Sequence, residues 1–313
     1  MATILITHGL PAEDFCALEG HEIIIPGLYG AFSEPELMRL IPDADAVVAG
    51  GKLPGEIIRA GRKLKIIANY GAGFDGVDIK TAAECSIPVT NIPETVTHDT
   101  AELTVALMLA VSRRVGEMNL RLRGSNPREL FGMAKYMGRS LRGQTLGVIG
   151  CGRIGSRVAE IARTLGMYTI GYSRRGCDPT AAEPIALPEL LERADIISLH
   201  CPLTDETRNL INRETIARMK PGVMLINTAR GGIIDHAALT EALAAGHIAG
   251  AGIDVYPDEP NIPQALFDFD NVVLTPHIGA NTVQTRRDMG AACSSQILDA
   301  LSGRRPANIV NGI

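Results

Sequence analysis

No apolar run in this chain approaches the roughly 20 residues that a membrane-spanning helix needs, so a membrane partner is not expected. Excess basic charge is missing as well. Across 313 residues, 30 Lys and Arg face 35 Asp and Glu, for a formal net charge of −5. A surface for polyanions is therefore not implied, and nucleic acid is excluded as a partner. The first residues, MATILITHGL, have no basic stretch ahead of their apolar ones, and they read as a strand rather than a secretion signal. Six cysteines occur without a C-x-x-C or a metal-ligand spacing. The expectation is reduced thiols in a cytoplasmic protein with no metal. Cys151 sits inside a glycine loop, where a disulfide is expected to obstruct a ligand.

What is present is organised around Thr145 to Arg175. The apolar run Leu146 to Ile149 predicts a buried strand. Gly150, Gly152 and Gly155 follow, and then a helical pattern with Ile154, Val158, Ile161 and Leu165 on one face. A second apolar run, Met167 to Tyr172, completes a β-α-β unit, the context in which G-x-G-x-x-G denotes a dinucleotide site. Helix-start N–H groups around Arg153 and Ile154 would meet the phosphates. A second G-x-G-x-x-G, Gly71, Gly73 and Gly76, is a poor dinucleotide loop. Asp75 and Asp78 would repel a diphosphate, and no long amphipathic pattern follows.

Apolar runs alternate with helical patterns along the rest of the chain. Strands are predicted at 4–6, 23–25, 46–49 and 66–68, then at 196–199, 223–226, 250–253 and 272–274. Helices are predicted between them, at 12–18, 34–40, 54–60, 188–193, 213–219 and 236–245, with a final one at 282–301. That alternation implies parallel sheets with helices on both faces. Val89–Pro93 reads as a break. The helical pattern from Ala101 to Met118 is apolar on nearly every face through its first twelve residues, so burial on all sides is expected, between domains or at a subunit contact. Residues 119–143 are polar and basic and read either as a solvated loop or as an arm packing on a second subunit.

In doubly wound sheets, ligands bind beyond the carboxyl ends of the strands. Three polar groups emerge there: Arg230 after 223–226, Asp254 with Glu259 after 250–253, and His277 after 272–274. Hydride transfer to a carbonyl leaves negative charge on oxygen. A proton donor and a fixed cation should stand beside that oxygen, and an imidazole backed by a carboxylate meets the first need. Of the seven histidines, His200 also ends a strand and is expected to shape a cofactor cleft. His8, His21, His98, His236 and His247 are assigned solvated or structural roles.

With these residues in place the chain resembles the D-isomer-specific 2-hydroxyacid dehydrogenases over essentially its whole length. The matching segments are NYGAGFDGVD at 69–78, HDTAELTVALMLAVSRR at 98–114, LRGQTLGVIGCGRIG at 141–155, HCPLT at 200–204, NTARGGIID at 227–235, GIDVYPDEP at 252–260 and LTPHIGANT at 274–282. The resemblance implies two doubly wound parallel-sheet α/β domains. A Rossmann-type coenzyme domain, 99–282, would be inserted in a flavodoxin-like substrate domain, 1–98 with 283–313. It implies that Arg230 binds the substrate, that His277 is the acid/base paired with Glu259, and that the N–H groups of Ala72 and Gly73 hold the substrate carboxylate. The implied cofactor set adds Thr100, His200, Cys201, Pro202, Thr207, Thr228, Ala229, Asp254 and Gly279 to Gly150, Gly152, Arg153, Ile154 and Gly155, with Arg230 and His277 also at the cofactor. A homodimer built through 101–143 is implied too.

An NAD-selecting site places Asp or Glu at the end of the second strand. Here that place holds Ser173, followed by Arg174 and Arg175. NADP(H) is therefore expected over NAD(H), which stays possible. Among 2-oxo acids, the positions that carry phosphate-binding arginines in phosphoglycerate relatives hold Ala49 and Asn69, with Lys52 nearby. With the chain ending at 313, this favours glyoxylate or hydroxypyruvate over a phosphoglycerate-type substrate. Glu259, where formate dehydrogenases resembling the family have glutamine, argues against that activity. No tryptophan is present, and Phe131 takes the place where many relatives have one in the arm. A corepressor-like binding protein of the same fold is the alternative outside enzymes.

Overall fold

Aliphatic and β-branched runs form twelve strands in the computed structural model, which describes residues 1–124 and 126–313; Ser125, in the basic stretch assigned to an arm, lies outside the described residues. The chain divides into two units, 1–96 with 281–313, and 97–280. Each unit carries one sheet, and every strand pairing in both is parallel. The chain thus folds as two doubly wound α/β domains. Among the described residues, no helix is long and apolar enough to cross a membrane.

In the first unit β1 (Thr3–Ile6), β2 (Glu22–Ile24), β3 (Ala46–Ala49), β4 (Ile66–Asn69) and β5 (Val89–Thr90) lie in the order β2-β1-β3-β4-β5. This is the flavodoxin-like order. Ile4, Leu5, Val47, Ile66 and Ile67 are fully buried, as expected for parallel strands covered on both faces. The supposed break at Val89–Pro93 contains β5. That strand is only two residues long, and groups far along the chain hold it. Asn311 Oδ1 accepts the Val89 N–H at 3.0 Å, and buried Gln296 accepts from the Thr90 hydroxyl at 2.7 Å. Gln296 lies on the helix Val283–Leu301, which belongs to this unit and packs against β4 and the 3-10 turn Ala12–Leu18.

The second unit contains β6 (Thr145–Ile149), β7 (Tyr168–Tyr172), β8 (Glu183–Pro184), β9 (Ile196–Leu199), β10 (Val223–Asn227), β11 (Ile248–Ile253) and β12 (Val272–Leu274). Their order is β12-β11-β10-β9-β6-β7-β8, the Rossmann arrangement with one further strand. The chain direction of crossovers reverses between β6 and β9, which makes that edge the ligand crevice. The exposed pair forming β8 has no signature in the apolar pattern.

The helix over the central apolar stretch runs from Thr97 to Ser112 and packs on β10, β11 and the helix Arg153–Thr164. It is not buried on all sides. Ala101, Leu107 and Met108 face inward, whereas Ala106 and Leu109 are exposed, because the helix lies across one face of a sheet. Arg114, at φ 56°, ends its run, and a second helix, Val115–Gly124, follows. In that helix Glu117 is 4% exposed and accepts from Arg114 and Arg121 at 2.7 and 2.9 Å. Part of the basic stretch is thereby neutralised rather than solvated. Leu120, Leu122, Phe131, Met133 and Met137 along the same stretch are exposed.

Candidate active site

At the turn after β6, three glycines have different reasons to be glycine. Gly150 adopts φ 103°, and a Cβ there would lie 2.5 Å from the backbone of His200 and Cys201. The turn therefore presses against the segment following β9. At Gly155 a Cβ would collide with the Gly150 carbonyl, 2.1 Å away, so the helix Arg153–Thr164 can start close under the turn. Gly152 is different. Its φ of −83° suits any residue, and a Cβ would meet nothing within 4 Å. Open space at the start of a twelve-residue helix, whose first N–H groups have no helical acceptors, fits a diphosphate.

Arg230, Glu259 and His277 come together on the carboxyl ends of β10, β11 and β12. Nδ1 of His277 is 2.7 Å from Oε2 of Glu259, and Oε1 of Glu259 accepts the Tyr256 N–H at 2.9 Å. Burial works to raise the Glu259 pKa. The hydrogen bonds from His277 and Tyr256 and the charges of His277 and Arg230 outweigh it, and the carboxyl lies below its ordinary value. Arg230 precedes Gly231, where a Cβ would fall 2.0 Å from the Tyr256 carbonyl carbon. That contact holds the arginine loop directly against the loop that carries Glu259.

Buried Asp254 organises the histidine loop. Its carboxylate accepts from the Thr275 hydroxyl at 2.6 Å and from the N–H groups of Ile278 and Gly279 at 2.8 and 3.0 Å, while its carbonyl accepts from His277 N–H. These bonds keep His277 at φ 53°, a conformation uncommon outside glycine. Burial raises the Asp254 pKa despite the bonds opposing it.

The other sequence-assigned positions lie around the same edge. Thr228 is buried, and its hydroxyl meets that of Thr104 at 2.8 Å; Thr104 in turn donates to the Thr100 carbonyl one turn back. Ala229 N–H donates to Oδ1 of buried Asn227, whose Nδ2 donates to the Arg230 carbonyl. His200 Nε2 and Ser198 Oγ are 2.8 Å apart, and burial of the imidazole pushes its pKa down to about 3, so it is neutral near pH 7. Cys201 is pushed up to about 11 by burial and is no thiolate. Thr207 donates to the Pro202 carbonyl at 2.6 Å and closes the turn after β9. Three positioning groups were not singled out on sequence: Asn227, Thr104 and Tyr256. The Tyr256 hydroxyl also reaches the carbonyls of Ile253 and Thr275. Asn227 closes β10 and Tyr256 follows β11, and that position at a strand end is the one signal that could have marked them.

Ser173, Arg174 and Arg175 form the turn after β7, with Gly176 N–H donating to the Ser173 carbonyl and Arg174 paired with Glu206. Just beyond the turn, Cys177 is joined to Cys151 in a disulfide, with Cα atoms 5.1 Å apart. The expectation of six free thiols is corrected here. Both sulfurs lie over Gly171 of β7, where a Cβ would meet them at 2.6 and 2.9 Å, and Sγ of Cys177 is not within 4 Å of a Cβ on Gly152. Parallel pairing of β6 with β7 ends the two strands side by side, which is what brings residues 26 apart into contact.

In the first unit Ala72 and Gly73 follow β4. The Asn69 amide donates to the carbonyls of Gly71 and Gly73, both at 3.0 Å, and the Asn91 amide to that of Ala72 at 2.7 Å. In a planar trans peptide the N–H points opposite its carbonyl. The N–H groups of Ala72 and Gly73 are thus turned away from the two asparagines, as an anion-binding loop requires. His8, set aside on sequence, lies two residues past β1 beside Gly50 and Gly51, and burial lowers its pKa.

Residues 105–279 match the family described as D-isomer specific 2-hydroxyacid dehydrogenase, NAD binding domain. The chain is 39% identical to a glyoxylate reductase of Thermococcus litoralis, over 88% of this chain and 86% of that one. It is 38% identical to a D-3-phosphoglycerate dehydrogenase of Methanocaldococcus jannaschii, over 99% of this chain, and spans about 60% of that relative's length. Its fold matches the crystal structure of an NADPH-dependent glyoxylate/hydroxypyruvate reductase from Sinorhizobium meliloti in complex with NADP and malonate, with a TM-score of 0.88, 30% identity, and 99% and 96% of the two chains covered.

Proposed function

The chain belongs to the D-isomer-specific 2-hydroxyacid dehydrogenase family, and on that premise we propose that it is an oxidoreductase that reduces glyoxylate or hydroxypyruvate with NADP(H) in preference to NAD(H). The bond between His277 and Glu259, with Arg230 on the adjoining loop, is the observation that carries this reading. The residues at Gly150–Gly155 suit a dinucleotide diphosphate, and the nicotinamide, when bound, supplies the hydride. Because an ionised carboxylate only accepts, Nδ1 of His277 carries hydrogen toward Glu259. Nε2 is then the atom that hands a proton to the substrate oxygen. Arg230 binds the substrate carboxylate and stabilises charge growing on that oxygen; within the first unit the N–H groups of Ala72 and Gly73 are the donors suited to a carboxylate. Asp254 and Tyr256 keep the histidine and glutamate loops in register.

Preference for NADP(H) is supported by Ser173-Arg174-Arg175 and by the absence of a carboxylate at 173. A phosphoglycerate dehydrogenase-like activity is the second reading, supported by similarity to the Methanocaldococcus jannaschii relative. Ala49 and Asn69 weigh against it, since the Asn69 amide is already engaged with its own loop. The exposed apolar residues between Leu120 and Met137 support a homodimer. A spectrophotometric panel tests the reading: NADPH and NADH, each against glyoxylate, hydroxypyruvate, pyruvate and phosphohydroxypyruvate. Turnover with none of these acids would overturn it.

A further inference from the structure

We infer that Cys151 and Cys177 form a thiol–disulfide site through which oxidation state sets the affinity of the chain for its dinucleotide. This inference deepens the reading of Ser173-Arg174-Arg175 as the NADP(H)-selecting turn and rests on it. Cys151 lies between Gly150 and Gly152, in the turn assigned to the diphosphate. Cys177 immediately follows Ser173–Gly176, the turn assigned to the adenosine phosphate. The bond between them therefore links the two parts of one proposed binding surface and bridges a whole β-α-β unit. On its other side the selecting turn is anchored by β7, whose last carbonyl, on Tyr172, accepts the Gly150 N–H at 2.8 Å. The disulfide is the matching anchor on the far side.

Three further observations favour a working redox site over a passive staple. A Cβ on Gly171 of β7 would meet both sulfurs, at 2.6 and 2.9 Å, so any side chain there would displace them. A cavity of about 320 Å³ has Ser173, Gly176, Cys177 and Pro184 in its lining, so Cys177, the residue a thiolate would attack, borders open space. The remaining cysteines are free thiols: Cys16, Cys85, Cys201 and Cys293.

The reductant is a dithiol. Its thiolate attacks Sγ of Cys177, the Cys177–Cys151 bond breaks, and Cys151 leaves as thiolate and takes up a proton. The second thiol of the reductant then attacks the mixed disulfide, releasing Cys177 as thiol and closing the reductant's own disulfide. Two electrons and two protons pass to the protein. Oxidation is the reverse, with a disulfide of the same class as acceptor. In the oxidised form the selecting turn is held for its ligand and binding orders little. In the reduced form that ordering must accompany binding, and affinity falls.

The full-length protein tests this in two states, equilibrated with oxidised or with reduced dithiothreitol. Denatured samples should titrate four thiols in the first state and six in the second, and a non-reduced digest should contain a peptide joining Cys151 to Cys177. Reduction should raise the Kd for NADPH about five- to tenfold and that for NADH less than about twofold, since NADH lacks the phosphate that the turn receives. Cys177→Ser should bind NADPH as the reduced protein does in both states, and Cys177→Ala serves if that variant is poorly folded. The inference is overturned if six thiols titrate after oxidation. It is equally overturned if no Kd differs between the states, or if the Cys177 variants still respond to dithiothreitol. Should NADH bind better than NADPH in both states, the cofactor reading fails. The redox site would then stand or fall on whether the Kd for NADH follows the thiol count.

Discussion

Glu259 holds His277 with one carboxylate oxygen, at 2.7 Å, while its other oxygen is held at 2.9 Å by the N–H of Tyr256. A carboxylate fixed at both oxygens cannot swing away, so the imidazole ring has one orientation. Reduction of a 2-oxo acid uses the protonated ring, and oxidation of the alcohol uses the neutral one. Glu259→Gln keeps a hydrogen-bonding group at the ring but removes the charge, so kcat for reduction should fall while part of the activity is retained. His277→Ala should lower kcat by roughly 10²–10⁴ in both directions while dinucleotide binding persists. An unchanged kcat in Glu259→Gln would remove Glu259 from the proton chemistry.

Arg174 is paired with Glu206, both well exposed. A 2′-phosphate binding at this turn must compete with that carboxylate for the guanidinium. Exposed pairs contribute up to about 1 kcal/mol, so Glu206→Gln should lower the KM for NADPH by about two- to fivefold and leave that for NADH unchanged. Ser173→Asp with Arg174→Ala should reverse the order of the two cofactors. Steady-state kinetics with both cofactors checks each expectation; an equal response of NADH and NADPH would mean that the turn does not read the phosphate.

Ala49 is buried at the end of β3, and Asn69 spends its amide on the carbonyls of Gly71 and Gly73. Neither can serve a second anionic group on the substrate. Glyoxylate or hydroxypyruvate should be reduced with a kcat/KM at least about tenfold above that for phosphohydroxypyruvate, a difference of about 1.4 kcal/mol. The opposite order would point to Lys52 as an unrecognised phosphate ligand.

Acid stability should carry the mark of His200. Its folded pKa, about 3, lies below the unfolded value near 6.5, so the unfolded chain binds the extra proton between those limits. Stability is complete above about pH 6.5 and falls as pH drops toward 3. Burial lowers His8 and His236 in the same direction. Chemical denaturation at pH 7.5 and 5 should show the loss, and His200→Gln should shrink it. An unchanged pH slope in that variant would place the proton uptake elsewhere.

Much of this molecule is legible in its sequence because parallel sheets announce themselves. Runs such as Val223–Ile226 are apolar throughout, and the polar residues just past them, Arg230 and His277 among them, fall on the ligand edge by topology alone. What escaped notice depends on partners distant in sequence. Val89–Thr90 is too short to read as a strand, and it is held by Gln296 and Asn311, some two hundred residues later. Cys151 and Cys177 meet only because β6 and β7 end in register. Tyr256 acts through its backbone N–H as well as its hydroxyl, and a backbone group leaves no trace in residue identity.

The space around Gly152 separates two kinds of genetic evidence. With ordinary backbone angles and no neighbour for a Cβ to strike, Gly152→Ala should leave the folded protein as abundant as before, whereas Gly155→Ala should deplete it. A survey of variants that scores only how much protein accumulates would pass Gly152 as tolerant. One that scores growth dependent on the enzyme would rank it with the most sensitive positions. The distance between those two scores, read along the chain, would trace the outline of the bound dinucleotide without any ligand being seen.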